Sequence, residues 1–161
     1  MKNAIVLLLL LLTSCSGFAQ KAETLRLVTR YGTFTLGENQ VLLFDGHRLQ
    51  PLVQGNSGID LGTPFRIGDS DAVLVAIFGG TACPYLYHFI IVSKSGAKPT
   101  PVFGTCNRAT NVRRSGNSIL LSMRGYRGPF EPEEERRQAL REVHRFAFVD
   151  GVITMDGKPA K

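Results

Sequence analysis

The run Ala72-Val73-Leu74-Val75-Ala76-Ile77-Phe78 is apolar at every position. A strand with one wet face alternates polar and apolar residues, so an unbroken run predicts a strand covered on both faces. Its β-branched content and the Gly79-Gly80 stop argue against a buried helical segment. Pro84 to Val92 has the same character, with Tyr85, Tyr87, Phe89 and Ile91 on one pleat face and Leu86, His88, Ile90 and Val92 on the other. Looser alternation over Thr24 to Thr29 and Gly32 to Leu36 brackets Arg30-Tyr31 and predicts a short antiparallel pair.

Turn chemistry divides the remaining chain. A two-residue type I′ turn needs positive φ at both central residues, and Asp-Gly meets that need. Asp45-Gly46 therefore predicts a hairpin between Gln40 to Phe44 and His47 to Val53, and Asp150-Gly151 one between His144 to Val149 and Val152 to Met155. Gln54 to Thr63, rich in Gly, Asn and Ser, reads as a loop. Pro99 to Thr105 carries prolines at 99 and 101, whose missing N–H groups fall on one side, as on an outer edge. Ser118 to Met123 is a further strand, broken by Gly125 to Pro129. Pro132 to Val143 predicts the one helix, with proline in its first turn, acids first and arginines later. Only Ala139, Leu140 and Val143 give that helix an apolar stripe, which places it on the surface.

The predicted fold is mainly β: a single antiparallel β-sandwich or partly open barrel of eight to ten short strands, with one surface α-helix near the C-terminus. Ten Phe, four Tyr and many aliphatic residues supply its interior without any Trp.

The N-terminus changes the setting. Lys2 precedes an apolar stretch from Ala4 to Leu12, followed by small residues, the form of an export signal over residues 1–19. About nine apolar residues cannot span a bilayer core that needs roughly twenty. Two cleavage readings stand side by side. Leu12-Thr13-Ser14-Cys15 resembles the bacterial lipobox, in which Cys15 is lipidated and anchors the chain, whereas Gly17-Phe18-Ala19 suits ordinary cleavage before Gln20. Either one leaves residues 20–161 as a single exported domain in the periplasm, soluble or tethered as a lipoprotein. Membrane contact is then expected only through an N-terminal lipid. The leader and the β-rich body resemble those of small exported proteins of Gram-negative bacteria, a resemblance that covers no diagnostic motif and transfers no functional residue.

In an oxidising compartment, Cys83 and Cys106 are candidates for a disulfide. With Lys94-Ser95 at the centre of a turn, Ser93 faces Gly96 and Val92 faces Ala97. The same register carried outward sets Cys83 opposite Cys106, at the Cα separation of about 4.5 to 5.5 Å that a bridge accepts. No Cys-x-x-Cys spacing supports a redox role. Metal binding by Cys83 and His88 fails because a strand points them to opposite faces, so neither a metal nor a cofactor is expected.

The formal charge is +6, and it is unevenly placed. From Ala72 to Phe130 there is no Asp or Glu, while Lys94, Lys98, Arg108, Arg113, Arg114, Arg124 and Arg127 fall within that stretch. Such a segment favours anionic partners at low salt. Export excludes nucleic acid, leaving an anionic ligand or an envelope protein. The alternative is that folding disperses these cations and that Glu131, Glu133, Glu134 and Glu135 neutralise them. Arg113, Arg114, Arg124 and Arg127, with the aromatic pair Tyr85 and Tyr87, are the candidate partner-binding residues.

No catalytic motif stands out. Ser95-Gly96-Ala97-Lys98 matches Ser-x-x-Lys in letters, but Gly96 and Pro99 oppose the helix turn that chemistry requires. Gly55-Asn56-Ser57-Gly58 is explained by turn geometry. Asp69-Ser70-Asp71 offers two carboxylates where calcium wants six or more oxygens, and reads as a soluble loop end before the central strand. The leading functional expectation is a non-enzymatic binding, adaptor or inhibitor module. A small periplasmic hydrolase using His88 and a structural envelope lipoprotein are the alternatives, and His144 is expected to act as a cation at the helix C-terminus.

Overall fold

A computed structural model of the chain describes residues 25–160, so the leader, Cys15 and both cleavage readings lie outside the described residues. Fifteen strands form three antiparallel sheets among these residues, and the sheets stay open. The N-terminal sheet holds β1 (Arg26–Val28), β2 (Thr33–Leu36), β3 (Leu42–Phe44) and β4 (His47–Arg48) in chain order. The middle sheet holds β5 (Gly58–Leu61), β6 (Phe65–Ile67), β7 (Ser70–Phe78), β8 (Tyr85–Ser93), β9 (Gly96–Pro99) and β10 (Phe103–Cys106), with β7 and β8 at its centre. The C-terminal sheet runs in chain order through β11 (Ala109–Ser115), β12 (Ser118–Arg124), β13 (Val143–Val149), β14 (Val152–Met155) and β15 (Lys158–Pro159). The helix α1 (Glu133–Arg141) connects β12 to β13.

The middle sheet is sandwiched between the other two, which explains why β7 is apolar on both faces. Val73 and Val75 point with Ile90 and Val92 of β8 into a core shared with Phe34, Leu42, Leu49 and Val53 of the N-terminal layer. Ala72 and Leu74 point the other way, with Tyr87, Phe89 and Phe103, against Ile119, Leu121, Met123, Phe146, Phe148 and Ile153 of the C-terminal sheet. Phe89 joins the layers of this second core, stacking on Phe148 at 4.5 Å and on Phe103 at 5.6 Å between ring centroids. Aromatic pairs at these distances add about 0.5–1.5 kcal/mol beyond the area they bury.

Both Asp-Gly hairpins form with positive φ at the two central residues, 47° and 79° at Asp45 and Gly46, 48° and 83° at Asp150 and Gly151. Asp156-Gly157 makes a third such turn, between β14 and β15, with φ of 51° and 79°. The Thr24 to Thr29 and Gly32 to Leu36 pair is β1 with β2, and the proline-bearing segment is an edge, as expected.

Several expectations are corrected. The fifteen strands exceed the eight to ten expected because edge strands break at bulges and tight turns. The stretch 54–63 is not wholly a loop: Gly58–Leu61 pairs with β7, directing Ile59 into the core. The cationic stretch β11, for which the sequence pattern predicts no element and which has almost no apolar face, is a strand because β12 lends it a hydrogen-bonding edge. Asp71 does not keep a loop soluble. It is 2% exposed and accepts hydrogen bonds from the backbone N–H of Arg30 at 2.9 Å and from its Nε at 2.8 Å, clamping the β1–β2 turn onto β7. The helix is shorter than expected: α1 ends at Arg141, so of the expected stripe Ala139 is buried, Leu140 faces solvent, and Val143 is the exposed first residue of β13.

Cys83 and Cys106 form a disulfide with Cα atoms 4.7 Å apart. The route to it differs from the expected continuous register. Ser93 faces Gly96 and Ile90 faces Pro99 as reasoned, and Thr100 still donates its N–H to the Phe89 carbonyl at 2.8 Å. Pro101 and Val102 then leave the ladder, and β10 resumes with Phe103 opposite Tyr87 and Cys106 opposite Tyr85. The bridge therefore joins Cys106 to a residue just before β8, two positions from its backbone partner.

Candidate functional site

The outer face of the C-terminal sheet has no third layer over it among the described residues. Because Ile119, Leu121, Met123, Phe146 and Phe148 point into the core, the residues between them, Leu120, Ser122, Arg145 and Ala147, point outward. Register sets these outward residues in rows. Thr110, Ser122 and Arg145 face one another across β11, β12 and β13. The next row is Arg113, Leu120, Ala147 and Thr154. An open cup of about 700 Å³ lies on this face, lined by Arg113, Arg145, Ser122, Thr154, Leu120 and Ala147 among others. No carboxylate lines it.

Arg113 and Arg145 stand on β11 and β13, on either side of β12. Two strand spacings and two residue rises separate their Cα atoms by roughly 12 Å, which the two side chains together can span. Arg113 owes its outward direction to a register shift between Thr110 and Arg113, where Asn111 takes a positive φ of 54° and its Nδ2 donates to Ser122 Oγ at 3.1 Å. Arg145 is held by its backbone N–H, which donates to Asp156 Oδ1 at 2.8 Å. The Asp156 carboxyl is kept below its usual range by that backbone hydrogen bond and, next, by the His144 side chain. Asp156 is thus engaged by the Arg145 backbone and by His144, and it is not among the residues lining the cup.

The expected partner-binding residues do not form one surface. Arg113 lies in the cup. Arg114, beside it in sequence, folds its Nε onto the Gly116 carbonyl at 2.8 Å. Arg124 donates from Nη1 to the Leu140 carbonyl at 2.6 Å, closing the C-terminal turn of α1. That is the role expected of His144, which instead lies in β13 with Nδ1 2.8 Å from Asp156 and Nε2 3.7 Å from Glu142. Arg127 is exposed in the β12–α1 connection. Tyr85 is half-buried edge-on to Phe78, and Tyr87 is 3% exposed, its hydroxyl accepting the Ala109 N–H at 2.8 Å. Both tyrosines belong to the space between the sheets. Burial raises the Tyr87 phenol pKa above its ordinary value.

Charge dispersal is half realised. Lys94 and Lys98 go to the middle sheet, and the arginines to the C-terminal sheet and its connections. Yet Glu133 and Glu134 pair with Arg137 of their own helix, at 3.1 and 3.0 Å, and not with the central cations.

His88 is 7% exposed, with Nδ1 2.7 Å from the Thr100 carbonyl. The carbonyl acceptor makes Nδ1 the protonated nitrogen, and burial pushes the imidazole pKa below its ordinary value. Among the described residues no carboxylate approaches it within ion-pair distance, and no group of three metal-binding side chains converges anywhere.

Arg145 is the site residue that sequence reasoning misses, since it lies outside the acid-free segment. The Asp150-Gly151 hairpin fixes the alternation of β13 and so orients Arg145. What brings Arg113 beside it is the β11 register shift, which no spacing reveals. Compared with protein-family models, with characterised proteins and with solved structures, the chain matches none.

Proposed function

We propose that this is an exported, non-enzymatic binding module of the periplasm that engages an anionic ligand or acidic protein partner through the cup on its C-terminal sheet. The observation that carries this reading is the pairing of Arg113 and Arg145 over an apolar floor of Leu120 and Ala147, with no carboxylate in the lining. A guanidinium binds carboxylate or phosphate through a planar fork, and the floor favours a partner with an apolar part. The leader and the disulfide support export.

The test is binding of a fluorescent hexaglutamate peptide, and of phosphatidylglycerol against phosphatidylcholine vesicles, to the mature oxidised protein. The reading expects capture of the acidic probe that weakens with salt and is lost in Arg113→Glu/Arg145→Glu with the thermal midpoint unchanged. Arg127→Glu, outside the cup, retains it. Equal capture by the cup variant, or capture indifferent to salt, overturns the reading.

A further inference from the structure

Phe130 is 95% exposed, at the tip of the connection between β12 and α1. A benzyl group left in water forgoes the stabilisation that burial of its apolar surface would give. This one is also presented by a braced loop. Pro129 and Pro132 flank it. At the loop base the Gly125 N–H donates to the Glu142 carbonyl at 3.1 Å, and Tyr126 donates its hydroxyl to the Thr81 carbonyl at 2.7 Å. The Glu131 N–H closes a turn onto the Gly128 carbonyl at 3.2 Å. Directly after the aromatic tip come Glu131, Glu133, Glu134 and Glu135, all exposed. Glu131 and Glu135 make no ion pair among the described residues.

A braced aromatic tip with an acidic flank is complementary to the cup in polarity and charge. The cup offers two arginines, an apolar floor and room far larger than one phenyl ring. We propose that the cup receives the Phe130–Glu135 segment of a second copy of this chain, the ring resting against Leu120 and Ala147 and the glutamates meeting Arg113 and Arg145. The inference rests on the cup being an acceptor for anionic groups. A chain cannot fill its own cup in this way, because Tyr126 ties the loop toward the β7–β8 turn of the middle sheet, away from the outer face. The contact is head-to-tail, so it propagates into rings or open chains rather than stopping at a two-fold dimer. Bracing of the loop by its base hydrogen bonds lowers the ordering cost of docking.

The experiment is sedimentation of the mature oxidised protein over a wide concentration range at low and high salt, with hexaglutamate binding measured in parallel. The wild type is expected to associate with rising concentration and to dissociate with salt. Phe130→Ala, which touches no core residue, is expected to associate at least roughly tenfold more weakly while keeping its hexaglutamate binding. Arg113→Glu/Arg145→Glu is expected to lose both. Mixed together, the two variants are expected to form a one-to-one pair and grow no further, since one intact tip and one intact cup remain. A wild type that stays monomeric, a Phe130→Ala chain that associates like wild type, or a mixture that does not pair overturns the inference. If hexaglutamate binding survives in such a case, the cup reading stands alone. If the wild type binds no hexaglutamate, both fall.

Discussion

Replacing both bridge cysteines, in Cys83→Ala/Cys106→Ala, tests how much of the stability comes from closing the chain across the middle sheet. The bridge spans 23 positions. On the chain-entropy model, closing a loop of about two dozen residues stabilises the fold by roughly 3.5 kcal/mol at 25 °C. Both cysteines are half-buried, so lost burial adds roughly 1 kcal/mol. With a urea slope of about 2 kcal/mol/M for a domain of this size, the midpoint falls by roughly 2 M. The entropic part acts through the unfolded ensemble, so near-UV circular dichroism of the folded variant stays native while the urea slope rises slightly. Equilibrium urea denaturation of oxidised wild type and variant measures all three quantities. A midpoint drop under about 0.5 M with a native spectrum shows that the bridge contributes little loop-closure stabilisation, and the reasoning fails.

Two further outcomes follow from buried polar groups. Arg30→Met leaves the Asp71 carboxylate, 2% exposed, with only a backbone N–H, and costs about 2–4 kcal/mol in urea denaturation, the Arg30 side chain being 33% exposed and partly screened. Arg30→Met/Asp71→Asn recovers part of that loss, and a single-variant cost under about 1 kcal/mol refutes the clamp. Burial holds the His88 pKa below its ordinary value, so the unfolded chain binds the proton more readily and stability falls as pH drops below about 6.5 toward the folded value. Thermal midpoints measured from pH 8 downward should fall through that window in wild type and flatten in His88→Gln, and an equal decline in both removes His88 as the cause.

Much of the architecture is legible from short-range pattern. The unbroken apolar run at 72–78 demands cover on two faces, and a three-layer stack supplies it. Asp-Gly turns place two hairpins because the φ they need is local to the dipeptide, and Asp156-Gly157 carries the same signal. Strands β5 and β11 escape such reading for opposite reasons. The first is hidden in glycine-rich sequence, and the second has too few apolar positions for any periodicity to mark it. The aromatic pair shows the limit on the site side: alternation places Tyr85 and Tyr87 on one face of β8, but only packing reveals that this face meets the C-terminal sheet.

By itself the sequence determines the β class, the hairpin turns, the surface helix and the proximity of Cys83 to Cys106, since each depends on residues close along the chain or on one hairpin, whose far end here slips in register without separating the two cysteines. Tertiary structure alone decides which cations share a surface. Arg113 and Arg145 stand 32 residues apart and meet through β12, after a register shift that costs the chain no recognisable signal. Phe130 is exposed for a similar reason, because no neighbouring layer covers the connection that carries it. Burial and convergence are sums over distant contacts, and those exist only once the sheets have stacked.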